Sequence, residues 1–217
     1  MVQINGIVNE YIHVEKPDQE AVPSRQFDIS KIDFDLLSRE FAHTRRKNLL
    51  LRDLDELVNQ QLAKMLFANP QRIDYYDRYQ EIIDAYNAEQ NRATIEKTFM
   101  DLMELASSLD TEQQRYVREG FSSDEELSVY DLLFSENLTK QEIETIKKVS
   151  VDLLTKIKQQ IAKLDHWTDK QETKAIVDNL IRKTLWQELP NSYDVSDIQT
   201  YQKKIYEYVY MRYPEVA

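Results

Sequence analysis

Three histidines, His13, His43 and His166, are the residues of this chain best suited to ligate a metal or carry a proton. They lie far apart, in different predicted elements. Glu40 and His43 have the Glu-x-x-His spacing that sets two ligands on one face of a helix. A di-iron bundle needs that motif twice, with two further carboxylates, and only one copy is present. The pair therefore reads as a surface helix end. No paired histidines suggest zinc. Glu172-Thr173-Lys174 matches the E-x-K of a metal-dependent nuclease, in which carboxylates hold Mg²⁺ and a lysine assists the attacking water. It falls within a helical pattern, where the first and third side chains point about 200° apart, so the match is chance. The dispersed Asp and Glu residues read as a solvated face. No catalytic, cofactor-binding or metal-binding residue is expected.

Residues that could bind without chemistry are easier to find. Arg45-Arg46-Lys47 puts three cations in a row between predicted helices, where a loop leaves them able to meet phosphate. Lys147-Lys148, Arg182-Lys183 and Lys203-Lys204 sit in acidic surroundings and read as ordinary helix surface. Trp167, in Asp165-His166-Trp167-Thr168-Asp169-Lys170-Gln171, immediately precedes a candidate capping threonine. The reading is an apolar staple packed near Glu172 or Thr173, and the alternative is an exposed anchor at a partner surface.

The elements that hold these residues are constrained by what is missing. Gly6 and Gly120 are the only glycines in 217 residues, where an average usage of about 7% would supply about fifteen. Hairpins, strand corners and phosphate-cradling loops draw on glycine. The chain can hold neither a G-x-x-x-x-G-K-[ST] loop nor a G-x-G-x-x-G fingerprint. The expected fold is all-α, about nine helices in a bundle-like domain or two helical lobes.

Composition sets further bounds. Hydrophobic residues make up 41% and charged residues 31%, the profile of a folded protein with a charged surface. The net charge of −11 and isoelectric point near 4.9 argue against a surface that is one large phosphate footprint. The absence of cysteine excludes disulfides and thiolate metal sites and fits a reducing compartment. No apolar run approaches the roughly 18 residues of a membrane span, and no secretory signal opens the chain. A soluble, cytoplasmic protein is expected, with no membrane partner.

Residues 1–30 differ from the rest. Val8, Tyr11, Ile12, His13 and Val14 lean towards strand, and Pro17 and Pro23 then mark a connecting loop. A linker or extended segment is expected there, followed by a helical lobe over 31–109 and a second over 110–217. Ser30 should cap a helix carrying Phe34, Leu37 and Phe41. Leu51, Leu54, Val58, Leu62 and Met65 form a stripe that Asn69-Pro70 stops. Tyr76, Tyr79, Ile83 and Tyr86 mark a half-exposed helix. Ile95, Phe99, Leu102, Ala106 and Leu109 follow the 4-3-4-3 spacing of a buried stripe. Asp110 should cap a short helix ending at Gly120, a left-handed C-terminal position. Ser123/Glu126, Thr139/Glu142 and Thr168/Gln171 have capping-box spacing. They open helices over Leu127–Phe134, Ile143–Leu164 and Thr173–Trp186. The last helix carries Ile198, Tyr201, Ile205, Tyr208 and Arg212 on one stripe.

Blocks in this order carry a family resemblance. FDISKIDFDLL begins at Phe27, NPQRIDYYDRYQEIIDAYN at Asn69 and ATIEKTFMDLMEL at Ala93. REGFSSDEELSVYDLL follows from Arg118, then LTKQEIETIKKVSVDLL from Leu138 and DHWTDKQETKAIVDNLIRKTLW from Asp165. YEYVYMRYP closes the series from Tyr206. From about residue 27 onward the chain resembles the C-terminal helical region of the R (HsdR) motor and nuclease subunit of type I restriction-modification enzymes. The resemblance implies one part of a much longer protein, in which ATP and Mg²⁺ serve ATPase and nuclease domains that this chain lacks. It also implies docking on methyltransferase (M) and specificity (S) subunits, with DNA met through the holoenzyme. Tyr75, Tyr76 and Tyr79, and Tyr206 and Tyr210 with Trp167, would then offer amphipathic contact area. Arg45, Arg46 and Lys47 are the candidates for phosphate should the region instead guide duplex to the motor. An autonomous helical enzyme would need a convergent polar pocket that the sequence does not reveal.

Overall fold

The computed structural model describes residues 32–89 and 91–214. The expected extended segment over 1–30, with His13 and the candidate cap Ser30, lies outside the described residues. Those described form nine α-helices, one short 3-10 turn and no strand, as an all-α fold requires. The helices are α1 (Phe34–His43), α2 (Lys47–Ala68), α3 (Ile73–Ala88), α4 (Arg92–Gln113), α5 (Arg115–Arg118), α6 (Asp124–Leu133), α7 (Lys140–Ile161), α8 (Gln171–Glu188) and α9 (Val195–Arg212). The 3-10 turn, Pro70–Arg72, joins α2 to α3. The chain divides into two compact units, Met1–Lys64 with Tyr75–Asp110, and Met65–Asp74 with Thr111–Ala217.

The first unit takes its helical stretches from α1 to α4. Asp33, not Ser30, caps α1, its Oδ1 accepting from the Leu36 amide at 2.9 Å. Leu51, Leu54, Val58 and Leu62 of α2 are buried, as are Phe99, Leu102, Ala106 and Leu109 of α4. These are the stripes the spacing predicts. Phe41 lies against Phe99 with ring centroids 3.6 Å apart and planes 5° from parallel. On α3 the buried positions are Tyr79 and Ile82, and Tyr76, Ile83 and Tyr86 stay half-buried.

The second unit contains a four-helix bundle. α6 packs on α7, α7 on α8 and α8 on α9, and α9 returns to α6. Its core runs through Leu127 and Leu133, Ile146, Leu153 and Ile157, Val177 and Ile181, and Ile205. Tyr193, between α8 and α9, closes one end by donating its hydroxyl to the Leu133 carbonyl at 2.7 Å. Its ring meets Tyr201 edge-on, and burial pushes its phenol above the ordinary tyrosine range.

The helix ends sort the capping expectations. Thr139 and Glu142 form the complete reciprocal box at α7. Ser123 caps α6, but Glu126 reaches one residue further back, accepting from the Ser122 amide at 2.8 Å. Thr168 does not cap α8. That helix starts at Gln171 after Lys170, which gives no side-chain cap. A box unread in the sequence, Asp194 with Asp197, opens α9. Asp110 caps nothing, because α4 runs on to Gln113 and the short α5 follows Gln114.

Gly120 takes φ +84° beyond α5. The Phe121 amide donates to the Tyr116 carbonyl at 2.8 Å, the return bond of a left-handed helix end. A Cβ built there meets nothing within 4 Å, so a side chain would be opposed by backbone conformation alone. Gly120→Ala should therefore destabilise the protein by about 1–2 kcal/mol, and Gly120→Asn by less, measured by urea denaturation. An unchanged midpoint for the alanine variant would show that the left-handed turn carries no stability.

Candidate interaction surface

Trp167 sits in the turn between α7 and α8, next to His166, whose φ of +44° makes it the one non-glycine residue with positive φ among those described. The indole is 1% exposed. Its Nε1 donates to the Tyr213 carbonyl at 2.6 Å, and Tyr206 and Tyr210 of α9 meet its ring edge-on, with centroids 6.2 and 5.7 Å away. The exposure that a partner anchor needs is absent, and Trp167 is a core residue. Nor is it a staple in the sense expected, since its partners come from α9. The local tie is a hydrogen bond of 2.7 Å donated by Thr173 Oγ1 to the Trp167 carbonyl.

Tyr210 remains 39% exposed, with Lys174 Nζ 5.6 Å from its ring centroid. Lys174 and Glu172 both lie in the first turn of α8. Tyr206 is half-buried between Trp167 and Tyr210. In the first unit, Tyr79 is buried and donates its hydroxyl to Asp55 Oδ1 at 2.8 Å. Tyr75 and Tyr76 are half-buried and also engaged. Each tyrosine face thus offers only part of the area its count suggests.

The basic triplet is divided as well. Arg45 and Arg46 are exposed in the loop between α1 and α2. Lys47 opens α2, placing Nζ 2.6 Å from Glu96 Oε1 and 4.9 Å from the Phe41 ring centroid. Lys47, with Arg92, holds the Glu96 carboxyl below the usual carboxylate range. Elsewhere, Lys147 Nζ bonds Glu119 through both its backbone and its side-chain oxygen. Among the described residues no three His, Asp or Glu side chains gather as an ion would require. Glu40 and His43 stand at the last turn of α1.

A polar cluster that local pattern did not indicate lies inside the second unit. Arg72, in the 3-10 turn, has a side chain only 3% exposed. Its Nε donates to Glu112 Oε1 at 3.0 Å, and its Nη1 and Nη2 donate to the two Asp124 oxygens at 3.0 and 2.6 Å. Arg115 bridges Glu112 and Asp131, and Asn69 Nδ2 donates to Asp131 Oδ2 at 2.6 Å. Two guanidiniums thus face three carboxylates. Burial opposes the charge on Arg72, but Asp124 and Glu112 together raise its pKa above the ordinary arginine value. Burial pushes the Asp131 carboxyl upward against the pull of Arg115 and Asn69. Ser128 Oγ adds a bond of 2.9 Å to the Ala68 carbonyl.

A second tryptophan has the opposite exposure to Trp167. Trp186, in the last turn of α8, is 51% exposed. It follows the buried stripe of Val177, Ile181, Thr184 and Leu185 by a single residue. That puts it about 155° from the mean direction of the stripe at 100° per residue, a phase the sequence alone contains.

The described residues thus form an all-α region that leaves several large hydrophobic side chains exposed. Residues 17–213 match the model of the family described as type I restriction enzyme HindI endonuclease subunit-like, C-terminal. The chain belongs to that family of C-terminal regions of type I restriction enzyme endonuclease subunit-like proteins. No curated protein and no solved structure was found to match it. Among the described residues no helix is long and apolar enough to cross a membrane.

Two outcomes check these assignments. Arg72→Met strands Asp124, leaves Glu112 to Arg115 alone, and should cost about 3–5 kcal/mol, read by urea denaturation. A loss under about 1 kcal/mol would make the cluster dispensable. Trp167→Ala should cost about 3–5 kcal/mol, whereas Trp186→Ala should stay within about 0.5 kcal/mol. The reverse order in thermal melts would contradict their burial.

Proposed function

We propose that this region is a non-catalytic docking module. It holds the ATP-dependent translocase and endonuclease of a type I restriction enzyme on the methyltransferase (M) and specificity (S) subunits, in the cytoplasm. ATP and Mg²⁺ belong to the remainder of the parent subunit, and DNA is met through the assembled enzyme. Family membership over residues 17–213 carries the reading. The helical architecture supports it, because rigid rods with fixed exposed faces lose little conformational entropy on association.

A second reading, direct contact with duplex DNA, draws on Arg45 and Arg46, exposed in the α1–α2 loop. The net charge of −11 opposes it, because duplex binding depends on clustered cations releasing counterions.

The full chain, mixed with its cognate methyltransferase complex, should co-elute from a size-exclusion column. It should leave free duplex unshifted at low salt. Failure to associate while circular dichroism reports intact helices would overturn docking. A duplex shift that weakens steeply with added salt would favour the second reading. ATP hydrolysis or plasmid cleavage by the purified chain alone would end the non-catalytic reading.

A further inference from the structure

The outer face of α8 carries an exposed tryptophan. The inner side, Val177, Ile181, Thr184 and Leu185, is buried in the bundle. Ala175, Asn179, Arg182, Lys183 and Trp186 lie opposite, within about 60° of one direction at 100° per residue, and all five are exposed. Trp186 ends the stripe half in water, at 51% exposure. Arg182 and Lys183 stand four and three residues before it, the separations that bring helical side chains together.

Charge gives this face a direction of its own. The chain carries −11 overall, but here two cations flank an indole. Arg182 donates to the Asn179 amide oxygen at 2.8 Å. Among the described residues neither Arg182 nor Lys183 is paired with a carboxylate. Glu172 shares the phase of the stripe but stands fourteen residues from Trp186, roughly 21 Å along the axis. The end bearing Trp186 is therefore locally basic and apolar.

We propose that this end of α8 is the surface on which the region meets its protein partner. The partner presents an apolar pocket for Trp186, rimmed by carboxylates that face Arg182 and Lys183. The inference rests on the docking reading and names the face that performs it. A tryptophan beside an arginine is the composition of an interface hot spot, and a basic rim selects an acidic counterpart. A duplex backbone would call for several cations spread along the face. A second copy seated on a two-fold axis would bring Arg182 and Lys183 against their own equivalents.

The test compares the full chain with Trp186→Ala, Trp186→Phe and the double variant Arg182→Glu/Lys183→Glu. Each is titrated with the cognate methyltransferase complex and with duplex DNA, and sedimented alone. Thermal melts should match wild type, since all three side chains are exposed. Trp186→Ala should weaken methyltransferase binding roughly 30-fold or more, the hot-spot threshold, with Trp186→Phe intermediate. The double variant should lose about tenfold and flatten the salt dependence of association. Wild-type tryptophan emission should shift to the blue on complex formation, and Trp186→Phe should lose that shift. Variants that bind within about twofold of wild type would overturn this face and leave docking standing. A wild-type chain that does not bind would overturn both. Losses confined to DNA retention, or to self-association, would replace the proposed occupant with nucleic acid or a second copy.

Discussion

The Arg72 guanidinium is the point to which the second unit is fastened. Its five N–H groups cannot be deprotonated at physiological pH, so taking it out of water obliges the fold to bring carboxylates to it. Glu112 and Asp124 come from 40 and 52 residues away along the chain. The excursion of residues 65–74 into this unit follows from that demand. Asn69 and Ser128 reinforce it, one through Asp131 and the other through the Ala68 carbonyl. Such a cluster adds less to net stability than to uniqueness, because an alternative packing would leave charges buried without partners.

Around this fastening the bundle is conventional in its physics. Apolar stripes on α6, α7, α8 and α9 face inward, side chains cap the starts of α6, α7 and α9, and backbone N–H groups of the capping residues close all four C-terminal ends. Where a side-chain cap is missing, as at Lys170, the preceding turn supplies other bonds, including the Thr173 hydroxyl to the Trp167 carbonyl.

The fold was legible in the sequence wherever periodicity and turn chemistry decided it. The stripes of α2, α4 and α9, the stop at Asn69-Pro70 and the left-handed Gly120 needed only local rules. Asp110 misled because a capping residue type within a long apolar stripe is overruled by the packing of Leu109, so α4 continued. Thr168 misled for a related reason: its spacing to Gln171 was right, but burial of Trp167 drew the turn elsewhere. The candidate site was less legible. Trp167 and Trp186 are the same residue type in the same region, and their opposite fates depend on phase against neighbouring helices. Arg72 gave no local sign of burial, since every carboxylate that neutralises it is distant in sequence.

Trp167 also settles how the end of α9 behaves. Terminal turns fray first in most helices, and their amides exchange quickly with solvent. Here the indole N–H holds the Tyr213 carbonyl one residue past Arg212, where that fraying would begin. Isotope exchange at Val209 to Arg212 is then governed by release of a buried ring from the α7–α8 turn. The closing turn of the last helix joins the cooperative core of its unit and does not behave as a loose tail.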